Sequence, residues 1–196
     1  MPDTIAACPW CGNDSLYRDY HDNVWGRPIY NRRELFEKLC LDGQQAGLSW
    51  LTILRKQTTY QAAYDGFDPN KIVYYDDQKI ASLLSDPGVI RNRSKVQSII
   101  LNARGYLQLE AQGTDFSEFL WGFVGGKAKQ NSFASMQQVP AFTVESEAMS
   151  KALKKQGFTF VGPTICYAFM QAVGMVNDHL TECPKWQVCH ELAQMR

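Results

Sequence analysis

Between Lys95 and Leu107 the apolar residues Val96, Ile99, Ile100, Ala103, Tyr106 and Leu107 recur at intervals of three and four. That spacing lines one face of an α-helix and would fall on both faces of a strand, so this stretch is expected to be a helix with one buried side. The same period runs through most of the chain, punctuated by helix-starting and helix-stopping residues. Asn31-Arg-Arg-Glu34 has the form of a capping box ahead of Leu35, Phe36 and Leu39, with Gly43 as the expected stop. Ser49 is placed to cap a helix carrying Trp50, Ile53 and Leu54, and Asp68-Pro69 puts proline at a first helical position. Asp77 precedes Ile80, Leu83 and Leu84, and Asp115 to Glu118 precedes Phe119, Leu120 and Phe123, with Gly125-Gly126 beyond. Ser146 is expected to cap a helix ending at Gly157, and Pro163 to open an apolar helix through Ile165, Phe169 and Val173. Residues 127–145 lack a period and read as a long surface loop. The pattern predicts an all-α protein of about eight helices.

The chain has 196 residues, enough for one sizeable core or two small lobes that share it. Its 20 Lys and Arg balance its 20 Asp and Glu, so any face that binds nucleic acid must be a local basic patch. No export signal is read in Met1 to Ala7, and no apolar run reaches the ~20 residues of a membrane span. A cytoplasmic protein is expected, and there its six cysteines would stay reduced, as metal ligands, reactive thiols or core residues.

Two of those thiols stand at Cys8-Pro-Trp-Cys11, with His21 following, and His179-Leu-Thr-Glu-Cys183 lies near the other end. If the latter segment is helical, His179 and Cys183 point the same way. Together the ends offer two thiolates and two imidazoles, a set that suits tetrahedral zinc stapling the chain ends, although spacing leaves Cys8 and Cys11 as alternatives. A thiol-disulfide pair at Cys8 and Cys11 is the competing reading, and the absence of alternating strands and helices argues against it.

Arg91, Arg93 and Lys95 crowd the start of the helix that begins near Ser94, where the helix dipole is positive and cations are disfavoured. The preceding Asp86-Pro-Gly88 turn would supply free N–H groups, so an anion such as a phosphate would explain the arrangement, with a solvated basic turn as the plain alternative. Trp10, Tyr17, Tyr20, Trp25 and Trp50 lie within the first fifty residues. They are either core packing or a slot in which a flat cationic base stacks. Asp42 precedes Gly43-Gln-Gln-Ala-Gly47-Leu48-Ser-Trp50 and is either a solvated loop residue or an acceptor for an exocyclic amine.

Four segments, Tyr20-His-Asp-Asn-Val-Trp-Gly26, Leu41-Asp-Gly-Gln-Gln-Ala-Gly-Leu-Ser-Trp50, Gly157-Phe-Thr-Phe-Val-Gly162 and Val176-Asn-Asp-His179, strongly resemble the DNA-3-methyladenine glycosylase I family, in one order from about Cys8 to Cys183. The resemblance implies a helix-hairpin-helix DNA glycosylase fold with a zinc-bound lobe joining the N- and C-termini. It implies lobes of approximately 1–35 plus 140–196 and 36–139 within one unit. The implied metal ligands are Cys8, His21, His179 and Cys183, with one structural Zn²⁺, and Cys11, Cys189 and His190 fall outside the pattern. The implied base pocket is Tyr17, Tyr20 and Trp50 with Trp10 and Trp25 nearby, and Asp42 is the catalytic carboxylate. Leu48, beside Gly47, would fill the gap left by the flipped nucleotide, and the turn with Gly88, Arg91, Arg93, Ser94 and Lys95 would grip the DNA backbone.

One departure matters. The family usually has glutamate where this chain has Asp42, so the carboxylate is drawn back by roughly the ~1.5 Å of a C–C bond. The activity implied is hydrolysis of the N-glycosidic bond of 3-methyladenine in double-stranded alkylated DNA by a monomer, without strand cleavage, since Lys95 is displaced from the position of a strand-cleaving lysine and Asn92 lies nearer to it. The alternative is a catalytically weak alkylated-DNA-binding protein of the same fold.

Overall fold

The computed structural model describes residues 8–195; Met1 to Ala7, where no export signal is read, lie outside the described residues. A 3-10 turn at Pro9–Cys11 leads into α1 (Ser15–Asn23), α2 (Arg32–Gln44), α3 (Trp50–Leu54), α4 (Gln57–Ala63), α5 (Pro69–Ile72), α6 (Asp77–Ser85), α7 (Arg93–Ala111) and α8 (Phe116–Trp121). Then follow β1 (Lys129–Gln130), α9 (Val144–Lys155), α10 (Pro163–Ala172), β2 (Val176–Asn177) and α11 (Pro184–Gln194). The protein is mostly helical, as the periodicity predicts. Among the described residues no helix is long and apolar enough to cross a membrane.

The helix at the centre is α2, packed between α7 and α10. Asn31 caps it, its side-chain oxygen accepting from the amides of Arg33 and Glu34. Leu35, Phe36, Leu39 and Leu41 are wholly buried, each worth about 1.5–3 kcal/mol of transfer free energy. Its second half is buried all round, which carries Asp42, Gly43 and Gln44 into the interior as well. Gly43 is therefore not the stop expected from the sequence. It is small because Phe160 packs on it: a Cβ there would lie 3.1 Å from that side chain.

Three further starts shift by one to three residues. Asp76, with extended backbone, caps α6 in place of Asp77 by accepting from the Lys79 amide. Asn92 caps α7 ahead of Ser94, accepting from the Lys95 amide. Thr143 caps α9, and Ser146 returns a bond to the Thr143 amide in a reciprocal capping box. In each case two capping residue types stand close together, and only the backbone conformation selects between them. Helices α1, α4 and α11 are additional to those read from the sequence; α11 opens on Pro184 at its first position.

The segment 127–145 is largely irregular, but Lys129 and Gln130 pair in parallel with Val176 and Asn177. Trp186 Nε1 donates to the Asn131 carbonyl at 2.7 Å, and Asn131 Nδ2 donates to Asp178 at 2.6 Å. These bonds fasten the segment against the residues that precede His179 and against α11 beyond it.

Gly105 sits in the middle of α7, where glycine normally weakens a helix by about 1 kcal/mol relative to alanine. The reason is a close approach: a Cβ would lie 2.5 Å from the Gln156 carbonyl oxygen and 2.6 Å from the Phe158 ring. Gly105→Ala is expected to lower stability by about 2 kcal/mol or more despite its better propensity. Urea unfolding checks this, and a stabilised variant would contradict the packing argument.

Candidate functional site

Cys8, His21, His179 and Cys183 are all buried, and their ligand atoms lie within 4.8 Å of one another. Cys183 Sγ is 3.6 Å from both His21 Nε2 and His179 Nδ1, and Cys8 Sγ is 3.7 Å from His179 Nδ1. The remaining ring nitrogens are occupied. His21 Nδ1 meets Asp22 Oδ1 at 2.8 Å, and His179 Nε2 meets the Trp25 carbonyl at 3.2 Å. Each imidazole is thereby oriented with its other nitrogen towards the sulfurs, the arrangement of a metal-binding histidine held by its outer partner. Hydrogen bonding with Cys8, then with the histidines, favours the Cys183 thiolate, and the same bond pushes the Cys8 thiol up. The group can hold a metal ion.

The helix expected to align His179 with Cys183 is not there. The two are joined by a turn, and Cys183 is the N-cap of α11. Gly26 makes room for the cluster, with φ of 81° and a Cβ position 3.0 Å from His179 Nε2. Cys11 is not a surface thiol: it is buried, and its Sγ donates to the Cys8 carbonyl at 3.1 Å. Cys189 is buried beside Gly26, and His190 stacks on Trp186.

Against this cluster lies a cavity of about 200 Å³. Trp10, Tyr17, Tyr20, Trp25 and Trp50 all line it. Trp10 meets Tyr17 and Trp25 edge-on, with centroids 5.1 and 4.9 Å apart, and Tyr20 tilts against Trp50 at 5.5 Å. Trp25 also lies edge-on to His179 at 4.6 Å, and Trp10 to His21 at 5.3 Å. The same two indoles thus form a wall of the cavity and a jacket for the histidines.

Asp42 reaches this cavity from the last turn of α2 and is 3% exposed, so it is not a solvated loop residue. Lys38, one turn earlier, donates to Oδ1. Oδ2 has no partner among the described residues, and neither has Trp50 Nε1. A buried acceptor and a buried donor left open in one cavity are unusual, and a ligand that offers the complementary pair would satisfy both. Lys38 was missed in the sequence because an i, i+4 Lys–Asp pair ordinarily marks a solvated helix face. Gln45, Met136, Val139 and the α10 residues Ala168, Gln171 and Ala172 also line the cavity, with Asp178. Their separation in sequence hid them.

The turn between α6 and α7 presents Arg91, Arg93 and Ser94 to solvent, and the amides of Arg93 and Ser94 have no protein acceptor among the described residues. Two expectations change here. Gly88 does not offer a free amide, because it donates to Asp86 Oδ1 at 2.6 Å. Lys95 turns inward and donates to the carbonyls of Gln44 and Ala46 at 2.6 and 2.7 Å. The Gln44 carbonyl ends α2 and the Ala46 carbonyl lies in the turn just beyond it, so the ammonium satisfies acceptors left open at and after the helix end. Beyond them Gly47, with φ of 74°, brings out Leu48, which is 40% exposed.

This is a helical protein with a buried Cys/His cluster and an aromatic slot built around one carboxylate. Its sequence matches the profile of methyladenine glycosylases over residues 10–186, and the chain belongs to that family. It is 49% identical to the DNA-3-methyladenine glycosylase of Haemophilus influenzae over 177 residues, 90% of this chain and 96% of that protein. It is 49% identical over 176 residues to DNA-3-methyladenine glycosylase 1 of Escherichia coli, 90% of this chain and 94% of that protein. The structure of the Staphylococcus aureus 3-methyladenine DNA glycosylase I, which recognises 3-methyladenine, superimposes with a TM-score of 0.89 at 38% identity, covering 92% of this chain and 96% of that one.

Burial raises the Asp42 carboxyl above the usual aspartate range, outweighing the opposite pull of Lys38. The folded state therefore holds this proton more tightly than the unfolded state. Stability gained by protonation appears as pH falls through the folded pKa and is complete below the unfolded one. A carboxyl ¹³C titration of Asp42 should have its midpoint above an ordinary aspartate, and Asp42→Asn should abolish the corresponding pH-dependent gain in urea unfolding. A midpoint at or below the ordinary value would contradict the burial argument.

Proposed function

We propose that this protein is a base-excision repair glycosylase that hydrolyses the N-glycosidic bond of 3-methyladenine in alkylated double-stranded DNA. The observation that carries the reading is the buried, unpartnered Oδ2 of Asp42, a residue that lines an aromatic cavity, in a chain of this family. A base flipped from the duplex stacks among Tyr20, Trp50 and Tyr17, with Trp10 and Trp25 closing the slot. Oδ2 accepts a hydrogen bond from the exocyclic amine, and the indole N–H of Trp50 supplies a donor for a ring nitrogen.

Methylation at N3 gives the base a positive charge and makes it a good leaving group. The C1′–N9 bond breaks with its electron pair going to the base, which departs neutral. Water forms the new bond to C1′ and loses its proton to solvent. Asp42 and the rings orient the base and exclude bulk water from it. The abasic sugar stays in an uncut strand, because the Lys95 ammonium of the α6–α7 turn is held on the carbonyls of Gln44 and Ala46.

In this reading the α6–α7 unit is a helix-hairpin-helix that grips the backbone through Arg91, Arg93, Ser94 and their free amides, contacts that position without reading sequence. Leu48 fills the gap left in the stack. Every site residue comes from one chain, so a monomer suffices, and the reduced thiols suit the cytoplasm. The metal is zinc. Bond lengths of about 2.3 Å to sulfur and 2.0 Å to nitrogen give tetrahedral S···N edges near 3.5 Å, close to the separations found. Cys8, His21, His179 and Cys183 would hold it with no open position, so it supplies folding energy and not chemistry.

Two experiments test the assignment. Purified protein should contain about one zinc per chain, and His179→Ala should lower Tm and perturb Trp10 and Trp25 fluorescence. Metal-free protein with unchanged Tm would remove the zinc. Methylated DNA should release free 3-methyladenine without forming a borohydride-trapped adduct, and Asp42→Asn should reduce release by about 10²-fold or more while leaving abasic-DNA affinity near that of the parent. Tight binding of methylated DNA with no released base would instead support a damage-binding protein.

A further inference from the structure

Lys38 is the unexpected member of the slot. Its side chain is 12% exposed, it lines the cavity beside Asp42, and its ammonium stands 3.8 Å from the centroid of the Trp50 ring. The ion pair uses Oδ1 of Asp42 and leaves only Oδ2 open. A positive charge thus already occupies two places that a cationic base would seek: the carboxylate and a face of the indole.

Asp42 is the direct ion-pair partner of this ammonium, and Glu37 acts on it from further off. Lys38 also borders a second cavity that Glu34 and Glu37 line. Glu37 Oε1 accepts from the amides of Gln57 and Gln61, at 3.2 and 2.7 Å. Across the base cavity Asp178 accepts from Tyr167 at 2.6 Å, from Gln171 at 2.8 Å and from Asn131 at 2.6 Å, so three donors already serve it. Lys38 therefore pairs with Asp42 and offsets the charge of that carboxylate, whose Oδ2 has no partner among the described residues.

We infer that Lys38 is a specificity-determining residue that lowers the pocket's preference for positively charged bases over neutral bases of the same shape. The inference rests on the reading of Asp42 and Trp50 as the base site. In a slot shielded from water, like charges in contact repel strongly, whereas a neutral ring of the same shape meets no such opposition. Recognition then depends on the hydrogen bond to Oδ2 and on stacking, which neutral and cationic bases share. The same charge favours the moment of bond cleavage over the bound cation, since the leaving base becomes neutral.

Calorimetry with two ligands tests this. One is 3,9-dimethyladeninium, a permanent cation; the other is its neutral 3-deaza isostere with the same methyl groups and amine. The parent protein should bind the two with similar affinity. Lys38→Met should raise the cation-to-neutral affinity ratio by about ten-fold or more, and Lys38→Arg should keep the parent ratio. If methionine unfolds the protein, Lys38→Gln, polar and of similar reach, takes its place. A ratio unchanged in the methionine or glutamine variant, with the neutral isostere still bound, overturns the role of Lys38 and leaves the base site standing. Failure of the parent protein to bind either ligand overturns both.

Discussion

The Gln44 carbonyl at the end of α2 and the Ala46 carbonyl just beyond it receive no bond from the helix itself, and Lys95 supplies the charge that takes them. This contact joins the C-terminal end of one helix to the first turn of another, α7. Gln44 completes the junction by donating to the Lys95 carbonyl at 3.0 Å and accepting from Tyr60, whose hydroxyl in turn accepts from the Ile90 amide at 3.0 Å. Asp42 lies two residues before the junction's first carbonyl, Leu48 two residues after its second, and Arg91 and Arg93 flank its other side. The pocket carboxylate, the exposed leucine and the basic turn are held in mutual register by one buried network. Its groups are nearly all paired, which is the condition for such a network to stiffen a structure.

A second closure acts on the opposite wall of the slot. The Cys/His cluster ties the segment around Cys8 to the segment around His179, and Trp10 and Trp25 pack against its histidines while facing the cavity. A shift in the imidazoles would be transmitted to the aromatic wall, since close-packed rings have no slack to absorb it. The slot is therefore bounded on one side by α2 and its junction and on the other by the union of the chain ends. Within it, Asp42 and Lys38 form an ion pair that leaves one carboxylate oxygen without a partner among the described residues, and Gln45, Gln171 and Asp178 share the lining.

Much of this was legible in the residues. The helical period, the caps at Asn31, Ser49, Asp68 and Asp115, and the proline at 163 all describe free energies that act within a turn or two of chain, and these appear in the structure. The cysteines and histidines of the cluster were visible at the two ends, with Cys8 and Cys11 as alternatives, and the five aromatic residues as a cluster in sequence. Where two capping residues stood close together, at Asp76 and Asp77 or at Thr143 and Ser146, spacing could not choose, because the choice belongs to backbone angles set by the preceding loop.

The sequence by itself determined the class of fold, the chemistry available at the chain ends and the aromatic character of the site, because each follows from local preference or from residue type. Tertiary structure decided which charges face solvent and which are consumed inside. Lys95 is expected from the sequence in the turn that grips the DNA backbone, and no sequence feature singles out Lys38. One became a strap on main-chain carbonyls, the other the partner of a pocket carboxylate. Gly88 likewise lost a free amide to Asp86. The physical reason is that a charge or an N–H acquires its role from the partners within about 3 Å, and those partners arrive from distant parts of the chain only when the helices pack.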